Sequence, residues 1–328
     1  MKNNIKSIMI VLIPVLCAFG IIQELISTKT LNSYHTQILI LICINVILAV
    51  SLNLIIGYTG QLALGHAGFM SVGGYTAAML TLKLHLPFAV VLLGGGLMAA
   101  LFGLIIGVPA LRLKGDYLAI TTLGFGEIIR VGIVNIDALG GARGLAGIPK
   151  KTNFAIVFFI VFAMIVIVRN MIKSSHGRAM ISVREDEIAA EAMGINTTKY
   201  KVIAFVTASF FAGIAGGLYG HYFMFLDPKT FDFLKSFDIL AFVVFGGMGS
   251  LSGCILSTAI LTTLPEVLRS IADYRLVIYA LCLILLMLFR PQGLLGTKEL
   301  SLSWFKNLIK HKKTIDLSKE GGREDVVA

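Results

Sequence analysis

Long runs of apolar residues alternate along this chain with short stretches of charge or glycine, and the length of the runs decides what they are. A hydrocarbon core about 30 Å thick requires about 20 apolar residues per helix. Nine runs approach or exceed that length: 8–26, 36–56, 62–82, 88–108, 117–135, 153–171, 202–224, 237–264 and 275–289. The first follows Lys2 and Lys6 and has no small-residue cleavage site, so it is read as a retained helix, an uncleaved signal being the alternative. The second and third are joined by Gly57-Tyr58-Thr59-Gly60-Gln61, and Pro109 ends the fourth. Between the fifth and sixth lies IDALGGARGLAGIPKK (136–151), an ordered turn-rich segment or a mobile one.

After the sixth run the pattern breaks. Residues 172–201 carry Lys173, Arg178, Arg184, Glu185, Asp186, Glu187, Glu191, Lys199 and Lys201, and belong in water. The sequence closes on a basic tail, 298–328, at the membrane surface or disordered. The positive-inside rule places the N-terminus, the 172–201 loop and the tail in the cytoplasm. Three runs then separate two cytoplasmic segments that need an even number of crossings. The run 237–264, interrupted by FGGMGSLSG (245–253), is therefore expected not to be a simple helix. Irregular backbone at membrane depth is tolerated only where protein or a polar cavity satisfies its peptide groups.

Composition agrees. Of 328 residues, 57% are hydrophobic and 14% charged, against about 45–50% and about 25% in soluble domains. The formal net charge of +10 fits cytoplasmic anchoring of membrane helices, and nucleic acid is not an expected partner. The expected architecture is an all-α integral membrane protein, a polytopic bundle of about 8–10 helices with glycine-rich broken or re-entrant segments. Residues 1–297 form its transmembrane domain. Cys17, Cys43, Cys254 and Cys282 are far apart within apolar runs and read as small buried hydrophobes.

Two glycine-rich motifs carry candidate chemistry. GYTGQLALGHAGFMSVGGY (57–75) sets Gly57, Gly60, Gly65, Gln61 and His66 in a membrane-like stretch; GGMGSLSG (246–253) repeats the texture with Gly246, Gly247, Gly249 and Ser250. Glycines of this kind serve helix packing or mark a pathway, and Gln61 and His66 either line it or bond neighbouring helices. Paired glycine breaks in two halves of a membrane protein point to a transport site. Glu127 and Arg130, i,i+3 in the fifth run, are expected to pair, as a polar element of the conduit or as a structural bridge near the interface. In the charged loop, Ser182-Val183-Arg184-Glu185 fits a capping box and Gly194 a helix C-terminus, predicting a helix over 183–193. It would present Ala189, Ala190, Ala192 and Met193 with acidic groups to another protein, or lie amphipathic at the membrane surface.

Together these segments resemble the permease subunits of ATP-binding-cassette importers for branched-chain amino acids, the Liv-type M subunit family, over residues 36–297. The strings that carry the resemblance are GYTGQLALGHAGF (57–69), LRLKGDYLAITTLGFGEIIR (111–130), GGARGLAGIP (140–149), GRAMISVREDEIAAEAMGIN (177–196), FGGMGSLSG (245–253) and FRPQGLLG (289–296). The resemblance implies that the loop element comprising Arg184, Glu185, Asp186, Glu187, Ala189, Ala190, Glu191 and Gly194 is the coupling helix that docks into an ATP-binding subunit. The order Glu187-Ile188-Ala189-Ala190-Glu191-Ala192-Met193-Gly194 departs from the general importer signature of EAA and a spaced glycine, leaving the register of its key acidic residue open. It further implies alternating access with a sister permease subunit, two ATP-binding subunits and an extracytoplasmic substrate-binding protein. The cargo would be leucine, isoleucine and valine, with urea, short amides or another small polar solute as the alternative.

No phosphate-binding GxxxxGK[ST] loop occurs, so ATP-driven work falls to partners. His35, His66, His85, His176, His221 and His311 show no metal-ligand spacing; catalytic residues, metal and cofactor are not expected. A stand-alone channel or ion-coupled carrier would need no docking surface in the 177–196 loop.

Overall fold

The computed structural model describes residues 32–268 throughout, together with 19–20, 22–28, 277–278, 280–281, 284, 288–289 and 293–296. The expected spans 8–26 and 275–289 fall largely outside the described residues, as do the basic tail, Cys17 and Cys282. The order is α1 Ser33–Thr59, α2 His66–Leu84, α3 Phe88–Ala110, α4 Asp116–Val134, β1 Leu145–Ala146, α5 Phe154–Lys173, α6 Ser175–Glu185, α7 Glu187–Ala192, α8 Thr197–Phe223, β2 Phe225–Leu226, α9 Phe233–Gly246 and α10 Leu251–Val267. Among these, α1, α3, α4, α5 and α8 are long and apolar enough to cross a membrane.

α8 packs on α1, α2 and α3 to form the centre of the bundle. Small residues permit the approach: a methyl on Gly216 would overlap the Met70 carbonyl, and one on Gly73 the backbone of Gly213. α4 and α5 lie outside, with most of their apolar surface uncovered. Pro109 sits in the last turn of α3 rather than beyond it, because Leu111 N–H still closes that turn on Gly107 O at 2.8 Å. The segment 136–151 is ordered by two 3-10 turns, Asp137–Leu139 and Gly141–Arg143, and by the antiparallel pairs Leu145–Leu226 and Ala146–Phe225.

Two features depart from simple spans. The third run is not helical from residue 62. Gly60, at φ +70°, ends α1 in the left-handed region, and residues 60–65 run without helix, Leu64 N–H donating to Thr122 Oγ1 at 2.9 Å. Helix resumes at His66, whose ring meets Ser51 Oγ at 2.8 Å. Ser51 lies eight residues before Thr59, about 12 Å along α1. The chain thus turns back along α1 without helix, and α2 begins about 12 Å along it rather than at its end.

The run 237–264 is two helices. α9 has 14 residues and α10 has 17, about 21 and about 25 Å, each short of the hydrocarbon thickness. They pack on each other around a turn at 247–250, and α10 runs back along α1. Asn45 Nδ2 donates to Thr262 Oγ1 at 3.1 Å, and Tyr34 Oη hydrogen-bonds the Glu266 carboxylate.

Candidate functional site

The two glycine motifs, far apart in sequence, meet. Asn53 on α1 joins them: its Oδ1 accepts from Gly249 N–H at 2.9 Å and its Nδ2 donates to Ser250 O at 3.3 Å. A methyl on Gly57 would overlap both the Asn53 amide oxygen and the Gly249 nitrogen. Gly246 and Gly247 complete the turn and are in turn capped by residues 293–296, Leu294 N–H donating to Phe245 O at 2.8 Å. Ser250 N-caps α10 through Gly253 N–H at 3.1 Å. Gly65 rests on the Thr122 carbonyl, where no side chain fits, and His66 is buried on Ser51.

Arg184 bears on this junction from the loop. Its Nη1 donates to Gly57 O at 2.7 Å, while Nε and Nη2 engage Glu185. Immediately beyond, α6 and α7 meet at an elbow. The continuous helix expected over 183–193 is not formed, and Ser182 is not its cap: Ser182 Oγ donates back to Ala179 O at 2.8 Å, inside α6. Asp186 takes the capping role, its Oδ1 accepting from Ile188 N–H at 2.9 Å and Ala189 N–H at 3.0 Å. The far end closes as expected at Gly194, φ +82°. Ile195 N–H reaches Ala190 O and Gly194 N–H reaches Glu191 O, the double bond pattern of a left-handed C-cap.

α7 is tied down by charge. Glu187 Oε1 accepts from Lys201 Nζ at 2.6 Å, and its Oε2 lies 3.7 Å from Lys114 Nζ. Partial burial pushes the Glu187 carboxyl up, but the Lys201 hydrogen bond and the charges of Lys201 and Lys114 outweigh it and hold the group below its ordinary value. Glu191 Oε1 accepts from Thr197 Oγ1 at 2.7 Å. The outward surface differs from the expected one. Ala190 is buried against the bundle, whereas Ala189, Ala192 and, most of all, Ile188 (75% exposed) and Met193 (82%) face out. Between this loop and the re-entrant segment lies a cleft of about 230 Å³ lined by Gln61, Lys114, Arg184, Asp186, Glu187 and Lys201. Both side-chain polar atoms of Gln61 are buried there without a hydrogen-bond partner among the described residues.

Glu127 stands apart from the glycine junction. It pairs with Arg130, Nε to Oε2 at 2.8 Å, on the outer side of α4. Further polar groups escaped sequence reasoning. Lys235 Nζ donates to Asn45 Oδ1 at 3.2 Å, Asp238 is exposed one turn on, and Ser236 Oγ accepts from Ala67 N–H at 3.1 Å in the first turn of α2. The signals were available in Asn45 and Asn53 inside an apolar run, and in the 232-235-238 spacing of Asp, Lys and Asp. Among the described residues, no group of three or more His, Cys, Asp or Glu side chains is placed to hold a metal ion. Cys254 is buried, and Cys43 only partly so.

Two broken helical elements meeting at the base of a charged loop, beside helices long and apolar enough to cross a membrane, give the architecture of a multi-pass membrane protein. Residues 34–289 match the model of the family described as branched-chain amino acid transport system / permease component, and the chain belongs to that family, a family of transport permeases rather than enzymes. It is 36% identical over 260 residues to the high-affinity branched-chain amino acid transport system permease protein LivM of Escherichia coli, covering 69% of this chain and 61% of that protein. It is 30% identical over 152 residues to LivH of the same organism, 45% of this chain and 49% of LivH. With BraD of Pseudomonas aeruginosa the identity is 28% over 148 residues, 44% of this chain and 47% of BraD. No solved structure matches the chain.

Proposed function

We propose that this chain is a membrane permease subunit of an ATP-binding-cassette importer that carries leucine, isoleucine and valine by alternating access. It pairs with a sister permease, two ATP-binding subunits and an extracytoplasmic substrate-binding protein. Residues 1–297 form the permease domain, and the α6–α7 loop, the basic tail and both termini lie in the cytoplasm. The observation that carries the reading is the loop: α7 offers Ile188 and Met193 to a partner, while Arg184 at its base holds the carbonyl of Gly57, where both broken elements meet. A partner's movement at α7 therefore acts on the glycine junction, and ATP hydrolysis belongs to that partner. The names borne by the relatives in E. coli and P. aeruginosa support the cargo.

Purification from the native membrane in mild detergent tests the assembly. ATP-binding subunits and a sister permease should co-purify, and the reconstituted complex should accumulate labelled leucine, isoleucine or valine only with ATP. Recovery of the chain alone, under conditions that keep other importers intact, moves a stand-alone channel to first place. Uptake of urea or an amide in place of the amino acids refutes the cargo.

A further inference from the structure

The structure points to the Glu127–Arg130 pair, and we infer that it is the recognition site for the zwitterionic end of the transported amino acid, Arg130 taking the carboxylate and Glu127 the ammonium. This rests on the proposed import of branched-chain amino acids.

Depth comes first. The N-terminal end of α4 adjoins the loop cleft, which Gly115 and Leu118 line. Glu127 lies eleven residues beyond Asp116, about 16 Å up a helix that faces a core about 30 Å thick. The pair is therefore near mid-membrane. Each side chain keeps 28% of its surface open. The face of α4 that borders Arg130 is committed to packing: a methyl on Gly65 would overlap the Thr122 carbonyl, and one on Gly68 would crowd Gly126, one turn before Arg130. Charges at this depth face protein or water, not lipid.

The surroundings match the ligand. Positions 120, 124, 127 and 131 share one face of a helix. Ile120 and Val131 are exposed there, and a methyl at Gly124 would meet nothing within 4 Å. Glu127 is thus set in an apolar, open stripe able to receive an aliphatic side chain, with Arg130 on the flank between that stripe and the packed face. The ion pair is also incompletely used. Arg130 Nε donates to Glu127 Oε2; the Nη groups and Oε1 make no hydrogen bond among the described residues. A carboxylate can add to the Nη donors and an ammonium to Oε1 without breaking the pair, turning one ion pair into a closed ring of four charges. Site and ligand are each neutral, so no unbalanced charge enters the low-dielectric region. A dicarboxylic or basic amino acid would bring one, and an uncharged amide would gain no ion pair.

The test uses the complete complex with its binding protein in proteoliposomes, reading labelled leucine uptake. Glu127→Gln and Arg130→Lys keep a polar pair but weaken one half of the ring. Each should lower kcat at least tenfold while KM, set by capture on the binding protein, stays within about threefold. The double swap Glu127→Arg with Arg130→Glu restores the ion pair but reverses it; uptake should remain at least tenfold low although the complex assembles normally. Unchanged kcat in the single variants overturns the assignment, as does full rescue by the swap, which marks a purely structural bridge. Loss of the sister permease from the purified variants overturns it too, making the pair a subunit contact. If the unmodified complex takes up no branched-chain amino acid, the functional reading itself fails, and this inference with it.

Discussion

Replacing Glu187 by alanine removes the anchor that holds α7 to α8. Lys201 is only 7% exposed and loses its 2.6 Å partner, while Glu187 itself is 26% exposed. Exposed pairs contribute about 0–1 kcal/mol, and breaking a buried one costs about 3–5 kcal/mol. This pair lies between the two limits, and solvent screening of the carboxylate brings the expected cost to about 2 kcal/mol. That corresponds to about a 30-fold rise in local opening of the segment closed by Gly194. Hydrogen–deuterium exchange of the purified chain in detergent reads it directly, because the amides of Ala190, Gly194 and Ile195 are all bonded within this turn. Glu185→Gln, on an exposed carboxylate, is the control and should leave those amides unchanged. Exchange within twofold of the unsubstituted chain in Glu187→Ala would refute the claim that charge, rather than the burial of Ala190, holds α7 in place. The pH dependence follows in sign. The carboxyl is held below its ordinary value near 4.5, so the pair's contribution is complete above that value and is lost as pH falls through the lower folded one. Protection corrected for intrinsic rate should be flat from about pH 7 to about pH 5 and fall in more acid solution.

Three other perturbations address the glycine junction. Gly57→Ala drives a methyl into Asn53 and Gly249 and should cost about 1–3 kcal/mol, lowering the detergent melting temperature, whereas Gly124→Ala enters open space and should not. Asn53→Ala strands the Gly249 N–H, while the Ser250 carbonyl keeps its bond from Cys254 N–H; one buried unsatisfied group costs about 1–3 kcal/mol, measurable as a lower melting temperature and faster proteolysis at 247–250. Arg184→Lys keeps the charge but cannot serve Gly57 O and Glu185 together, so in the reconstituted complex ATP turnover should persist while uptake per ATP falls at least fivefold. Normal uptake per ATP in that variant would remove Arg184 from the coupling route.

Much of the fold is legible in hydropathy because a bilayer imposes a length on every run. The misreadings arise where the chain meets that rule with something other than one helix. Leu62, Ala63 and Leu64 are as apolar as any helical residue, so nothing in their hydropathy shows that Gly60 has turned the chain and that it runs without helix to His66. At the loop, two overlapping caps compete, Ser182 and Asp186. Ser182 is absorbed into α6 by its bond to Ala179, and the carboxylate of Asp186 takes two amides where a hydroxyl would take one. Lys235 fell just outside the 237–264 boundary, and its partner Asn45 is 190 positions away, beyond any local pattern.

The parity argument and the glycine argument are two views of one constraint. A hairpin of helices too short to span has to end somewhere inside protein, with its turn amides satisfied. Asn53 supplies those bonds from α1, and Gly57 supplies the space for the turn to approach. The carbonyl of Gly57 then remains as an acceptor, which Arg184 takes from the loop. The turn of one motif, the break of the other and the base of the loop thus share a single bonded junction, so none can be displaced without leaving a buried peptide group unpaired in another.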